Sequence, residues 1–466
     1  MWGAGLGCLV TLLTAIRAVP LPYELDFDEG PVLGVAVRVA HGLSAYPPAT
    51  EFPYVTNPFG PLPYYLAALC VKLFGASFTS PRILTSLLGI WCAVLIALLV
   101  RHWGGAAHVS LGFGLLYLSR PLVTTWLPQF RADWIGLAFT LTGLYLFARS
   151  RRWYLAVPFF VAALFCKITF LAAPLACFLY MLFRREGVKA TRFAVSSLAL
   201  WGLAFLWAQR ETGGWFGFDT FWINAVRPYD LRPAISLLHN QLTADYLLVV
   251  LALALAYYLR SRPELSLPLI YLGASFLMGL GVVKSASASY YFLEWQAALC
   301  CCAGVAYSTL RAHSDFRSIV STLMPAALAA MVIVNLHRPT PDPMQEMSEC
   351  GQAYEFVRDY PGERILSENP GAVVMAGKLL PVFDPWIWTR MVVDEGWPDT
   401  EIVILLRLHK IDLVVLGRDL EELSNRTDQG IWPNSVAHAI VQNYRLVRTF
   451  NCEDANFVFQ PETPPQ

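Results

Sequence analysis

Long apolar blocks separated by short polar breaks fill the chain up to Asn335, after which the pattern changes to alternating polar and apolar positions. A hydrocarbon core of ~30 Å needs roughly 17 to 25 apolar residues per helix. Blocks near residues 2–19, 82–100, 107–125, 133–149, 153–166, 168–183, 192–209, 245–260, 266–283, 291–310 and 318–336 thus predict about eleven spanning helices. The fifth and sixth are short, with Cys166-Lys167-Ile168 as the polar break between them. The first block lacks a basic leading region, and Ala15-Ile16-Arg17-Ala18 is a poor cleavage site, so it reads as a helix and not as a signal peptide.

Between these blocks, Arg101-His102, Arg149 to Arg152, Arg184 to Arg192, Arg260 to Arg262 and Arg311 to Arg317 form short basic connections alternating with longer loops. Cationic loops are retained on the cytoplasmic side. That bias puts the N-terminus inside and residues 20–81, 126–132, 210–244, 284–290 and everything after 337 outside, as expected for a multi-pass protein of the cytoplasmic (inner) membrane.

The first outer loop is long, and long loops in an otherwise tightly connected protein tend to carry function. It opens with Leu25-Asp26-Phe27-Asp28-Glu29-Gly30. Pro31 to His41 then reads as an amphipathic helix suited to the membrane interface and ended by Gly42. A proline-rich turn, Thr56 to Pro63, leads into Tyr64 to Phe74, too short to span.

Past the linker Arg338 to Pro343, the pattern predicts a small α/β module. Helices are expected at 350–360, 400–409 and 435–443, buried strands at 364–368 and 412–417, and a closing pair at 445–450 and 455–459. The expected architecture is therefore mainly α: a polytopic transmembrane bundle over 1–337 and an extracytoplasmic α/β domain over 338–466. The module contains no phosphate-binding loop, dinucleotide fingerprint or nucleophile elbow.

Composition sharpens this picture: 56% of residues are hydrophobic and 15% charged, with a formal net charge of zero. No global basic field exists to draw nucleic acid. Eight of the ten cysteines lie in apolar stretches; Cys350 and Cys452 lie in polar sequence, where they either form a disulfide or remain buried thiols.

The candidate chemistry lies outside. Asp26, Asp28 and Glu29 are either a solvated acidic loop or a general base with its partner, or a metal site, facing water. Arg82, Arg131, Asp133, Lys167 and Lys284 all fall on the outer side of the predicted topology. Singly each reads as a snorkelling side chain; as a group the cations would suit a phosphate at bilayer level.

Several short motifs occur in a telling order: Asp28-Glu29, Gly42 through Tyr46-Pro47, Asn57 to Tyr65, Arg82-Ile83-Leu84, Arg131-Ala132-Asp133, Lys167 after Ala163-Leu164-Phe165, and Tyr291-Phe292-Leu293-Glu294. In these the chain resembles the GT-C superfamily of polyprenyl-phosphate-sugar-dependent membrane glycosyltransferases, which includes protein O-mannosyltransferases and aminoarabinose transferases. The resemblance implies inverting transfer of a sugar from a polyprenyl-phosphate donor to a lipid, glycan or protein acceptor. Asp28 would be the base and Glu29 its supporting acid. Lys167 and Arg131, with Arg82 and Lys284, would hold the lipid phosphate, and Asp26, Asp133, Tyr291 and Glu294 would line the substrate cavity.

Two positions depart from the pattern. Asp26 competes with Asp28 as base, and Tyr290 stands where an Asn is expected before the Tyr-Phe pair. A divalent metal on Asp28 and Glu29 is left open. The rival classes are a lipid-linked-glycan transporter or flippase, an O-antigen ligase or polymerase drawing its base from Asp219, Asp230 or His239, and a membrane anchor for the exported module.

Overall fold

The computed structural model describes residues 2–150, 152–258, 266–312, 314–337, 349–419, 431–452 and 457–462. The basic connection at 260–262, the linker at 338–343 and the start of the last strand at 455–456 lie outside them. The chain forms two compact units that alternate in sequence. A helical unit takes 1–17, 83–207 and 226–340; a loop unit takes 18–82, 208–225 and 341–466.

The predicted apolar blocks are helices, many of them broken. α1 (Trp2–Ala18), α4 (Thr79–His102), α7 (Ala132–Arg149), α8 (Val157–Leu164), α9 (Ala172–Phe183) and α10 (Gly187–Glu211) match their blocks closely. The block at 107–125 divides into α5 (Ala107–Leu118) and α6 (Pro121–Trp126). Arg120 is extended there, as the residue before a proline prefers, and Pro121 opens the next helix without needing an N–H partner. Further on come α11 (Leu231–Ala244), α12 (Tyr246–Tyr258), α13 (Ser266–Gly279), α14 (Leu293–Ala312) and α15 (Ser314–Leu336). By length and composition, Thr79–His102, Gly187–Glu211 and Ser266–Val283 can cross a membrane, and α11 with α12 makes a fourth candidate bent by 77°.

In the loop unit, α2 (Glu29–Ala40) and α3 (Pro61–Phe74) are the two predicted short helices. Gly42, at φ +82°, ends the first by closing its N–H onto the Val39 carbonyl. The apolar side of α2 does not face outward as expected of an interfacial helix. It packs on α3 and on α17 (Pro370–Met375), with Val32, Leu33, Val35 and Ala36 buried. A Cβ at Gly34 would come within 2.9 Å of the Phe383 ring, so glycine is what lets this face approach.

The C-terminal segment forms the expected α/β module, a four-stranded sheet in the order β1-β2-β4-β3. β1 (Ile365–Ser367) pairs parallel with β2 (Leu413–Leu416), and β4 (Phe457–Pro461) pairs antiparallel with both β2 and β3 (Tyr444–Thr449). The helices α16 (Cys350–Asp359), α19 (Thr400–Arg407) and α20 (Asn434–Asn443) lie where the periodicity puts them, while α17 and α18 (Pro385–Glu395) were not anticipated. Cys350 and Cys452 are disulfide-bonded, with Cα atoms 4.9 Å apart.

Tyr54 of the first loop belongs to this module's core, against Trp388, Val382 and Ile402. Its N–H donates to the Pro381 carbonyl at 2.9 Å, and its own carbonyl accepts from Phe383 N–H at 3.0 Å. The first loop and the C-terminal module therefore share one core.

Candidate active site

In the loop unit the acidic segment forms a turn. Asp28 N–H donates to Asp26 Oδ2 at 3.3 Å, and Glu29 N–H donates to the Asp26 carbonyl at 3.0 Å. Asp28 is the N-cap residue of α2 and is half-buried. Its carboxylate makes no cap bond to that helix.

Glu29 turns inward. Its carboxylate accepts from Leu25 N–H at 2.7 Å and from two nitrogens of Arg82, Nη2 at 2.5 Å and Nε at 2.9 Å. Both side chains are fully buried. The same guanidinium donates to the carbonyls of Leu21 at 2.8 Å, Tyr23 at 2.6 Å and Ala18 at 3.5 Å, and lies over the Phe78 ring. A planar five-donor fork suits such a junction, because it pairs bidentately with one carboxylate and still reaches backbone oxygens. Arg82 thus ties residues 18–29 to the start of α4.

Glu24, buried, accepts from Gly371 N–H. The proline-rich turn is pinned likewise: Tyr46 Oη donates to the Phe59 carbonyl at 2.9 Å, Asn57 Nδ2 to the Ala45 carbonyl, and Asn224 Nδ2 to the Pro58 carbonyl at 2.9 Å. Behind it sits Asp219, fully buried beside the Asn57 backbone N–H. Burial pushes its carboxyl well above the usual carboxylate range, and the Asn57 N–H offsets this in part. Asp230 instead caps α11 through Arg232 N–H and is exposed, as is His239.

The helical unit holds a different cluster. Asp133, in the first turn of α7, accepts from Lys167 Nζ at 2.9 Å through Oδ1 and from Arg131 Nε at 3.4 Å through Oδ2. Lys167 is in the break between α8 and α9, and all three side chains are nearly inaccessible. Tyr290 lies under both cations, its ring centre 3.8 Å from Arg131 Cζ and 4.4 Å from Lys167 Nζ. Tyr291 adds a second face to Lys167 at 4.4 Å, and Trp126 one to Arg131 at 4.8 Å.

Both cations thus contact the Asp133 carboxylate, and aromatic faces add negative potential. Beside them is a cavity of about 20 Å³ lined by Asp133, Thr169, Phe170, Tyr290, Tyr291 and Glu294.

The structure therefore brings Arg131, Asp133, Lys167 and Tyr291 together, with Glu294 on the adjoining cavity. Tyr290, the departure from the family pattern, is the ring beneath both cations. Lys284 forms an antiparallel bridge with Tyr229. Among the described residues, no group of three His, Cys, Asp or Glu is arranged to hold a metal ion. Glu29, one of the two acids proposed for that role, has both oxygens engaged by Arg82 and Leu25; the pair does not fit a metal centre.

Sequence reasoning missed a second buried ion pair in the helical unit. Arg120 Nη2 lies 2.6 Å from Asp245 Oδ1 and donates to the Ala244 carbonyl at 2.5 Å. Gln296 Nε2 donates to Asp245 Oδ2 at 2.8 Å. The Arg120-Pro121 break inside an apolar block was the available signal.

Residues 57–215 match the family of dolichyl-phosphate-mannose-protein mannosyltransferases. The fold is similar to that of two solved structures of ArnT from Cupriavidus metallidurans. With undecaprenyl phosphate bound, the TM-score is 0.65 at 14% identity over 99% of each chain. In the apo state it is 0.63 at 13% identity over 99% of this chain and 98% of that one. The apo oligosaccharyltransferase of Archaeoglobus fulgidus gives 0.53 at 12% identity over 98% of this chain and 74% of that chain. No curated protein matches significantly by sequence. The structural likeness supplies the fold, and the matched segment, about a third of the chain, points to a glycosyltransferase.

Proposed function

We propose that the chain transfers a sugar from a polyprenyl phosphate to an acceptor hydroxyl or amine on the extracytoplasmic face of the cytoplasmic membrane, inverting the anomeric centre. The observation that carries this reading is the buried clustering of Arg131 and Lys167 around Asp133. Arg131 and Lys167 bring two cations into one nearly inaccessible cluster around Asp133, and such a concentration of positive charge favours an anionic ligand. A lipid phosphate is such an anion, and the ArnT of Cupriavidus metallidurans binds undecaprenyl phosphate.

On this reading the acceptor atom forms its bond to the anomeric carbon as the bond from that carbon to the phosphate oxygen breaks. The electron pair leaves with the polyprenyl phosphate, whose growing charge Arg131 and Lys167 stabilise. The acceptor's proton passes to Asp28, a half-buried acid next to the Glu29 that Arg82 holds. Glu29 acts through Arg82, fixing the turn that carries Asp28.

The test is Asp28→Asn in purified full-length protein supplied with a lipid-linked sugar. Transfer should fall by about 10² to 10⁴, the usual contribution of a general base, with donor binding retained. Asp26→Asn should be milder. Near-normal transfer by Asp28→Asn would remove Asp28 from the reaction.

A further inference from the structure

The helical unit contains a cavity that the transfer reaction does not use. α1, α5, α14 and α15 enclose about 300 Å³ lined in part by Gly3, Ala4, Val109, Phe113, Leu116 and Leu328. At ~30 Å³ per water this is room for about ten waters, or for part of one hydrocarbon chain. The apolar lining runs toward Leu116 and Leu328, well along α5 and α15. The polar end is formed by His108 in the first turn of α5 and Arg311 in the last turn of α14.

Arg311 Nη1 donates to His108 Nε2 at 2.8 Å, which fixes that imidazole nitrogen as an acceptor and leaves the guanidinium charge uncompensated. Among the described residues Arg311 has no carboxylate partner. α4 and α7 end in basic residues, Arg101, His102 and Arg149, as α14 does in Arg311, the connections that the charge bias assigns to the cytoplasmic leaflet.

We propose that this groove holds a hydrocarbon chain of a resident anionic phospholipid, with its headgroup phosphate on Arg311 beside His108. An apolar slot ending in an uncompensated cation at headgroup level has the chemistry of such a site, since basic pockets between membrane helices select acidic lipid headgroups. The phosphate recruits the remaining guanidinium donors in charge-assisted bonds. The groove walls supply apolar contact for the chain and no further charge, so selectivity rests on Arg311.

The experiment is native mass spectrometry of the full chain in detergent, titrated separately with phosphatidylglycerol and phosphatidylcholine. Phosphatidylglycerol should be retained about tenfold more, the scale of one charge-assisted hydrogen bond. Arg311→Glu should erase that preference, and Leu328→Trp, which fills the slot, should reduce retention of both lipids. If Arg311→Glu does not purify as a folded species, Arg311→Gln serves in its place. Equal retention of the two lipids by the wild type, or a preference unchanged in the Arg311 variant, overturns the proposal. So does displacement by inorganic phosphate alone, which would assign a free anion. Stronger Arg311-dependent retention of undecaprenyl phosphate than of phosphatidylglycerol would assign the groove to substrate lipid and overturn it equally.

Discussion

Glu29–Arg82 in the loop unit and Arg131–Asp133–Lys167 in the helical unit are built from the same residue types and are both buried, yet they differ in what is left over. In the first, one carboxylate meets one guanidinium and the other guanidinium donors go to backbone carbonyls. In the second, two cations share one carboxylate and lean on aromatic rings. Matched charges with satisfied donors describe a joint that holds the chain. Two cations gathered on one carboxylate and on aromatic faces describe a place that suits a ligand of negative charge. The charges of the Arg120–Asp245 pair also match, although Arg120 Nε and Nη1 are buried with no hydrogen-bond partner among the described residues.

Cutting the joint gives the largest effect. Glu29→Gln leaves the Arg82 charge buried without its carboxylate, a change that costs about 3 to 5 kcal/mol, and should read as a large fall in the thermal midpoint in detergent. Replacing both partners, as in Glu29→Leu with Arg82→Met, should not restore stability, because the Leu21 and Tyr23 carbonyls then lose their donor. A double variant as stable as the wild type would mean the carbonyl bonds contribute little.

The open cluster should respond differently. Lys167→Met removes one of the two cations and leaves Asp133 its contact with Arg131. The variant should fold near normally, yet bind a polyprenyl phosphate about 10 to 100 times more weakly, as loss of a charge-assisted contact does. A strong loss of stability with donor affinity unchanged would place this cluster among the joints and erase the contrast.

Much of this arrangement was legible before the structure. Periodicity located the apolar blocks and the C-terminal module. The same reasoning flagged both Glu29 and Arg82 but gave them unrelated tasks, because pairing between residues 53 positions apart is a tertiary fact. Tyr290 was visible only as an exception to a pattern; its use as a π face needs the positions of two cations drawn from other elements. α2 looked interfacial since its amphipathicity cannot say whether lipid or protein covers the apolar side, and α3 with α17 covers it. Arg120 was hidden inside an apolar block, with its partner Asp245 far along the chain.

The smallest effect concerns Asp219, a buried carboxyl with no ion pair among the described residues and no place in the open cluster. Its carboxyl is pushed well above the usual range by burial, with the Asn57 N–H offsetting part of the shift. In the unfolded chain it releases its proton near the ordinary value of ~3.9, whereas in the folded chain it keeps the proton to higher pH. The folded state therefore binds more protons over that window. The stability it contributes falls as pH rises from about 4 toward the raised value, by at most ~1.4 kcal/mol per pH unit. Asp219→Asn keeps size and polarity and removes the titration. Its thermal midpoint should lie close to that of the wild type near pH ~5 and above it near pH ~8, the gap widening with pH as this linkage requires. Midpoints that stay parallel across that range would show that Asp219 is ionised in the folded chain, and would point to a buried counter-charge holding it.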